Sequence, residues 1–147
     1  MPNDPRSVPV YLGLPLDHLG VAVTDLETAS QTYELLGLVR DGDDEEVPDQ
    51  GVRVRLLRGG ESAVELLEPL TPESPLRAFL AKRGPGMHHA AFRTPDLGAD
   101  IARLSAQGAT LIGDQPRSGR HGTSIIFLHP SWTGGVLVEL VEYPQPS

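Results

Sequence analysis

The chain contains no cysteine, so thiol catalysis, zinc-thiolate sites and iron-sulfur ligation are excluded. Nor is there an excess of positive charge. Lys+Arg 12 against Asp+Glu 20 leave a formal charge of −8 at pH 7, and the bases are scattered rather than clustered, which argues against a nucleic-acid binder. An anionic small ligand would need a local positive site, from a cation or a few arginines, working against that overall field. No apolar run approaches the roughly 18 residues of a membrane span. Asp4, Arg6 and three prolines stand where a secretory signal would be apolar. The expectation is a soluble, cytoplasmic protein that meets no membrane. With 147 residues the chain can bury roughly 70 % of its unfolded surface, enough for one domain without disulfides or a structural metal.

What is present is a repeat. Leu16–Leu26, LDHLGVAVTDL, aligns with Met87–Leu97, MHHAAFRTPDL, at an offset of 71. In each copy a short apolar stretch, readable as a strand, runs into an aspartate able to cap a helix. Leu26, Ala29, Tyr33 and Leu36 then follow helical spacing in the first copy, and Leu97, Ile101 and Leu104 in the second. A glycine suited to a left-handed cap, Gly37 or Gly108, stands twelve positions after each aspartate. Short β-rich runs come next: Val52–Leu57 and Ala63–Leu67 in the first half, Thr123–Leu128 and Val136–Val141 in the second. Each half therefore reads βαβββ. Residues 1–15 form an N-terminal tail, modules 16–70 and 86–143 make a single domain over 16–143, and a linker over 71–85 holds a short helix, Ser74–Lys82.

Side chains on a strand alternate faces, so Glu65 between Val64 and Leu66 points away from its apolar neighbours, toward solvent or an enclosed polar cavity. The repeat distinguishes these options. It sets His18 and His89 at equivalent positions on the opening strands, and Glu65 and Glu139 on the closing strands. If the halves pack about a pseudo-twofold, two imidazoles and two carboxylates meet and can hold one divalent cation. In that register His88 faces the other side of its strand, while Glu68 and Glu142 are solvated on the opposite face from the chosen glutamates.

Other segments carry weaker signals. Pro116–Gly122, PRSGRHG, is either a flexible loop or an anion-binding nest, with Arg117 and Arg120 available to a carboxylate or phosphate. Asp43–Glu46 is a run of like charges that reads as a solvated edge, from which Glu46 is kept as an acid/base candidate. His129–Pro130 with Gly134–Gly135 reads as turn chemistry.

The assembled pattern resembles the vicinal-oxygen-chelate superfamily and, within it, the methylmalonyl-CoA epimerase family. The resemblance rests on DHLGVAV at 17–23, VPDQGV at 47–52, ELLEPL at 65–70, Ser74–Pro75, GMHH at 86–89, and FLHP at 127–130 with GGVLVEL at 134–140. It implies an α+β fold in which the tandem modules form a curved, partly closed, eight-stranded mixed sheet with helices outside. It places the metal ligands on His18, Glu65, His89 and Glu139, and implies binding of an acyl-CoA substrate at Gln50, Arg117, Ser118, Gly119, Arg120 and His121. The implied assembly is a homodimer. Two departures stand out: Arg120 replaces an alanine common in the family's loop, and Val54 occupies the place where some members carry a glutamate base.

The implied activity is epimerisation at C2 of methylmalonyl-CoA by removal and return of a proton through a metal-stabilised enolate. Glu139 and Glu65 are the first candidates for the bases, and Glu46 is the outside one. Imidazole and carboxylate ligands suit one Co, Mn, Ni, Zn or Mg ion per chain, with cobalt placed first. Alternatives on the same scaffold are a non-heme iron dioxygenase using His18, His89 and Glu139, a glyoxalase-type isomerase, and a metal-free drug-binding protein.

Overall fold

A computed structural model describes residues 13–145; most of the expected tail, 1–15, lies outside the described residues. The order of elements follows the repeat. In the first half β1 (Leu16–Ala22) leads to α1 (Leu26–Leu35), two short strands β2 (Val39–Arg40) and β3 (Glu45–Val47), then β4 (Val52–Gly59) and β5 (Ser62–Pro69). After α2 (Pro75–Arg83) the second half runs β6 (Gly86–Arg93), α3 (Leu97–Ala106), β7 (Leu111–Ser118), β8 (Ser124–Leu128), α4 (Pro130–Thr133) and β9 (Val138–Glu142).

The nine strands among the described residues form one mixed sheet in the order β2-β4-β5-β1-β6-β9-β8-β7, with β3 also paired to β4. The two halves meet edge to edge through the antiparallel pair β1 and β6, while β1 with β5 and β6 with β9 are parallel. The sheet has one strand more than the eight expected, because the segment between α1 and β4 pairs with β4 in two separate pieces. Neither piece alternates in hydrophobicity, so neither left a signal in the sequence.

The helices begin and end where local chemistry directs. Asp25 accepts from the Thr28 N–H at 2.9 Å and Asp96 from the Ala99 N–H at 3.0 Å, while Gly37 and Gly108 take φ of +97° and +91° just beyond the helix ends. A second carboxylate reaches each helix start: Glu68 accepts from Leu26 N–H at 2.9 Å and Glu142 from Leu97 N–H at 2.7 Å. Both glutamates were expected to be solvated. They instead tie each closing strand to the positive end of its module's helix.

Under α1 lies a cluster of Val23, Leu26, Leu57 and Leu66, and under α3 its counterpart of Leu97, Ile126, Leu128 and Leu140. The other side of the sheet carries Ala22, Val47, Val52, Val54, Leu67 and Leu76, packed with Phe79 and Leu80, and also Ala91, Ile125 and Val141. Leu66 belongs to the helix side and Leu67 to the other, as alternation requires.

Candidate metal centre

Sheet register brings four distant side chains to one place. His18 stands opposite Ala91 and Gly20 opposite His89 across the β1–β6 pair. On the outer edges Gly20 pairs with Glu65 and Ala91 with Glu139. Directly opposed residues share a face, so each small residue is flanked by one histidine and one glutamate from neighbouring strands. Gly20 and Ala91 are themselves repeat equivalents, two positions after their histidines. The space above Gly20 is filled by the His89 ring: a Cβ there would lie 2.1 Å from its Cε1.

The two Nε2 atoms of His18 and His89 are 3.2 Å apart. Glu139 Oε1 lies 3.3 Å from His18 Nε2 and 3.7 Å from His89 Nε2. Glu65 brings Oε2 to 3.5 Å from the first nitrogen and Oε1 to 3.7 Å from the second. All four residues are buried. Single donor atoms of His18, His89 and Glu139 lie within 4.8 Å of one another, a spacing that can serve one ion.

Both imidazoles are oriented from behind by the residue that precedes them. His18 Nδ1 donates to Asp17 Oδ2 at 2.7 Å. Asp17 also accepts from the Tyr143 hydroxyl at 2.9 Å and from Arg93 Nε at 3.1 Å. His89 Nδ1 lies 3.0 Å from His88 Nδ1. Simple alternation put His88 on the far face, but the β1–β6 register slips between Gly20–His89 and Val21–Met87, and His88 is the extra residue. The bulge brings its ring to that of His89. With Nδ1 of each ligand so occupied, Nε2 is the atom left to meet a cation.

Arg120 completes the cluster. Its Nε donates to Glu65 Oε2 at 2.9 Å, and its Nη2 donates to the Tyr143 hydroxyl at 3.2 Å and lies 3.6 Å from Asp17 Oδ2. Burial opposes charge on His18, but the charge of Glu65 and the hydrogen bonds His18 donates to Asp17, Glu139 and Glu65 outweigh it and push the imidazole up to about 12. His89 goes the other way: burial lowers it to about 3. Burial likewise raises Glu139, whereas Glu65 falls well below the usual carboxylate range because the charges of His18, His89 and Arg120 outweigh its own burial. Two buried imidazoles and two buried carboxylates, converging with their outer nitrogens already bonded, fit a divalent cation.

The remaining candidates fall around this centre. Glu46 does not reach it: the side chain is exposed and pairs with Arg53 at 2.9 Å, while its neighbour Val47 faces the chamber over the cluster. Gln50, Gly119 and Arg120 line that chamber with Val54. Gln50 Nε2 donates to Ser118 carbonyl oxygen at 3.2 Å, Arg117 donates to the Asp49 carbonyl, and the His121 N–H donates to the Glu45 carboxylate at 3.0 Å. The loop that read as either a flexible link or an anion-binding nest is thus a turn at His121, with φ +53°, whose N–H already holds a carboxylate of the chain. The acidic run is largely exposed, as expected of a solvated edge, and Asp44 within it pairs with buried Arg55 at 2.8 Å. His129 proves to be a cap, accepting from Ser131 N–H at 3.0 Å. The roles of Arg120 as the partner of Glu65, and of Gly20 and Ala91 as spacers, escaped the sequence reading. The spacers had left a signal: a small residue on the same face as each ligand histidine.

A duplicated βαβββ sheet with two histidines and two glutamates at its seam defines a class, and residues 17–127 match the Glyoxalase/Bleomycin resistance protein/Dioxygenase superfamily, to which the chain belongs. Within it the chain falls among the methylmalonyl-CoA epimerases: the mouse mitochondrial enzyme is 39% identical over 137 residues, 92% of this chain and 76% of that protein. The uncharacterised Bacillus subtilis protein YqjC is 44% identical over 128 residues, 86% of this chain and 91% of that one. A variant of Streptomyces coelicolor methylmalonyl-CoA epimerase, in complex with 2-nitronate-propionyl-CoA, gives a TM-score of 0.83 at 38% identity, covering 91% of this chain and 100% of that chain.

Proposed function

We propose that this protein epimerises methylmalonyl-CoA at C2, holding one divalent cation with His18, His89, Glu139 and Glu65. The observation that carries this reading is the meeting of the two Nε2 atoms, 3.2 Å apart, with carboxylates of both closing strands within 3.7 Å. When bound, the cation supplies Lewis-acid stabilisation of the charge that develops on the thioester oxygen. The chain's own groups handle the proton. Glu139, whose Oε1 lies nearest the two Nε2 atoms, is the first candidate for the base. Glu65 is held as the anion beside Arg120. The two carboxylates, one from each closing strand, divide the acid and base work between them. Val54 leaves the chamber wall beside them apolar, and Glu46 has no part. Asp17 and His88 keep the ligand imidazoles in place, and Gln50 and Gly119 line the small chamber over the cluster.

The expected ion is cobalt, which this ligand set suits along with Mn, Ni, Zn and Mg. The expected setting is a cytoplasmic homodimer; no described helix is long and apolar enough to cross a membrane. Glu139→Gln is the direct test. It should lower turnover by about two orders of magnitude or more while methylmalonyl-CoA still binds. Near-normal turnover in that variant removes Glu139 from the mechanism.

A further inference from the structure

Arg120 is the neighbour of the metal cluster that the repeat does not duplicate. A single helical turn precedes the equivalent strands of the two halves: Pro48–Gln50 leads into β4 and Arg120–Gly122 into β8, each separated from its strand by one residue, Gly51 or Thr123. To the chamber over the cluster the first half contributes only Val47, Gln50 and Val54 besides His18 and Glu65. The second half adds a cation, Arg120, at the position where the first has Pro48. This side chain is built in. The residue is 6% exposed, and its carbonyl accepts from the Thr123 N–H at 3.0 Å and from the Thr123 hydroxyl at 2.7 Å. The next residue, His121 at φ +53°, is held through its N–H by Glu45.

The two glutamates, equivalent in the repeat, are thereby made unequal. One oxygen of Glu139, Oε1, approaches both ligand nitrogens, at 3.3 and 3.7 Å, and among the described residues this carboxylate has no ion-pair partner besides the two histidines. Glu65 approaches with different oxygens, Oε2 at 3.5 Å from His18 Nε2 and Oε1 at 3.7 Å from His89 Nε2. Its Oε2 is also the acceptor of Arg120 Nε at 2.9 Å. The three residues whose donor atoms close within 4.8 Å include Glu139 and not Glu65. A guanidinium and a divalent cation are rivals for one carboxylate, since both are drawn to the same oxygens and repel each other across them. Burial leaves that rivalry only weakly screened.

Resting on the reading of this cluster as a metal centre, we propose that Arg120 is a positioning residue that shares Glu65 with the cation, weakening the ion's hold and making Glu65 the ligand most readily released. The site keeps three firm donors, His18, His89 and Glu139, and a fourth whose attachment the guanidinium moderates. A carboxylate that stays paired with Arg120 stays anionic, the state a base requires.

Cobalt affinity, measured by competition with a chelator on the full chain, tests this in the wild type and in Arg120→Met, each with and without Glu65→Gln or Glu139→Gln. Damage to a site loosens its metal; the sharing of Glu65 predicts the reverse. Arg120→Met should bind cobalt about tenfold more tightly, the size of one charge-assisted hydrogen bond. Arg120→Lys, which restores the charge, should return to within about threefold of the wild type. Glu65→Gln should cost about tenfold more in the Arg120→Met background than in the wild type, whereas Glu139→Gln should cost the same in both. Melting curves check that each variant folds. Should Arg120→Met fail to fold, the wild-type background still decides, because there Glu139→Gln should weaken cobalt about tenfold more than Glu65→Gln does. Equal or weaker cobalt binding by a folded Arg120→Met protein, or equal losses from the two glutamate variants in the wild type, overturns the role of Arg120. A wild type that takes up no cobalt overturns the metal centre itself, and this proposal with it.

Discussion

Gly20→Ala is the smallest change that should disable the metal centre. The added Cβ would sit 2.1, 2.3 and 2.6 Å from Cε1, Nδ1 and Nε2 of His89, where ordinary contact is about 3.5 to 4.0 Å. The ring must therefore retreat by about 1.4 Å or more. It has little room to do so, being boxed in by His18 with centroids 5.3 Å apart, His88 at 5.3 Å and Phe127 at 5.6 Å. Overpacking of this kind costs about 1 to 3 kcal/mol. The larger effect falls on metal binding, because ligand distances tolerate only about 0.2 Å and a displaced His89 Nε2 leaves the cluster. We expect urea unfolding of the metal-free variant to show that stability loss, and chelator competition to show cobalt affinity down by about 100-fold or more. Ala91→Gly, at the equivalent place in the other half, removes a contact instead of creating one. It should cost about 0.5 to 1 kcal/mol and keep the metal. A Gly20→Ala protein that binds cobalt as the wild type does would refute the argument that His89 occupies the space above this glycine.

Arg120→Met should destabilise the metal-free protein by about 1.5 to 3 kcal/mol, since it removes the guanidinium hydrogen bond from the buried Glu65 carboxylate and leaves only the His18 imidazolium beside it; added cobalt should restore much of the loss, and denaturant midpoints with and without metal read both. Acid should weaken the metal-free fold well before the carboxylates titrate. His89 is lowered to about 3 and His88 is lowered as well, so below an unfolded value of about 6.5 the unfolded chain takes protons that the native one refuses, and stability falls by up to about 1.4 kcal/mol per pH unit for each group. His18 is shifted the other way, so its contribution is intact below pH 6.5 and fades only as pH rises toward 12. Guanidinium titrations between pH 7 and 4.5 should show the slope, and His89→Gln should reduce it by one proton.

The duplicated pattern made most of this molecule readable. Asp25 with Gly37 and Asp96 with Gly108 mark both long helices because capping is local chemistry, carried by one side chain and one positive φ. The four cluster residues were legible for a different reason: two equivalent histidines and two equivalent glutamates must meet if equivalent strands pair at the seam, as they do through Gly20 and Ala91. What stayed hidden depends on contacts between distant segments. The edge strands β2 and β3 exist because β4 offers a free edge. Glu68 and Glu142 looked solvated since nothing in their own strands shows the helix ends above them. His88 was assigned to the wrong face because alternation takes no account of a bulge. Arg120, read as a loop arginine open to ligand, is buried against Glu65 through a fold of the 119–123 turn that no local periodicity encodes.

The central claim is that groups from both halves hold one cation and together labilise the C2 proton of methylmalonyl-CoA. Deuterium uptake at C2 in heavy water, followed by mass spectrometry on protein stripped with chelator and then reloaded with one equivalent of cobalt, tests it most directly. The account predicts fast exchange with the loaded wild type, loss of exchange after stripping, and recovery at one ion per chain. Undiminished exchange in the stripped protein, or none after reloading, would contradict it.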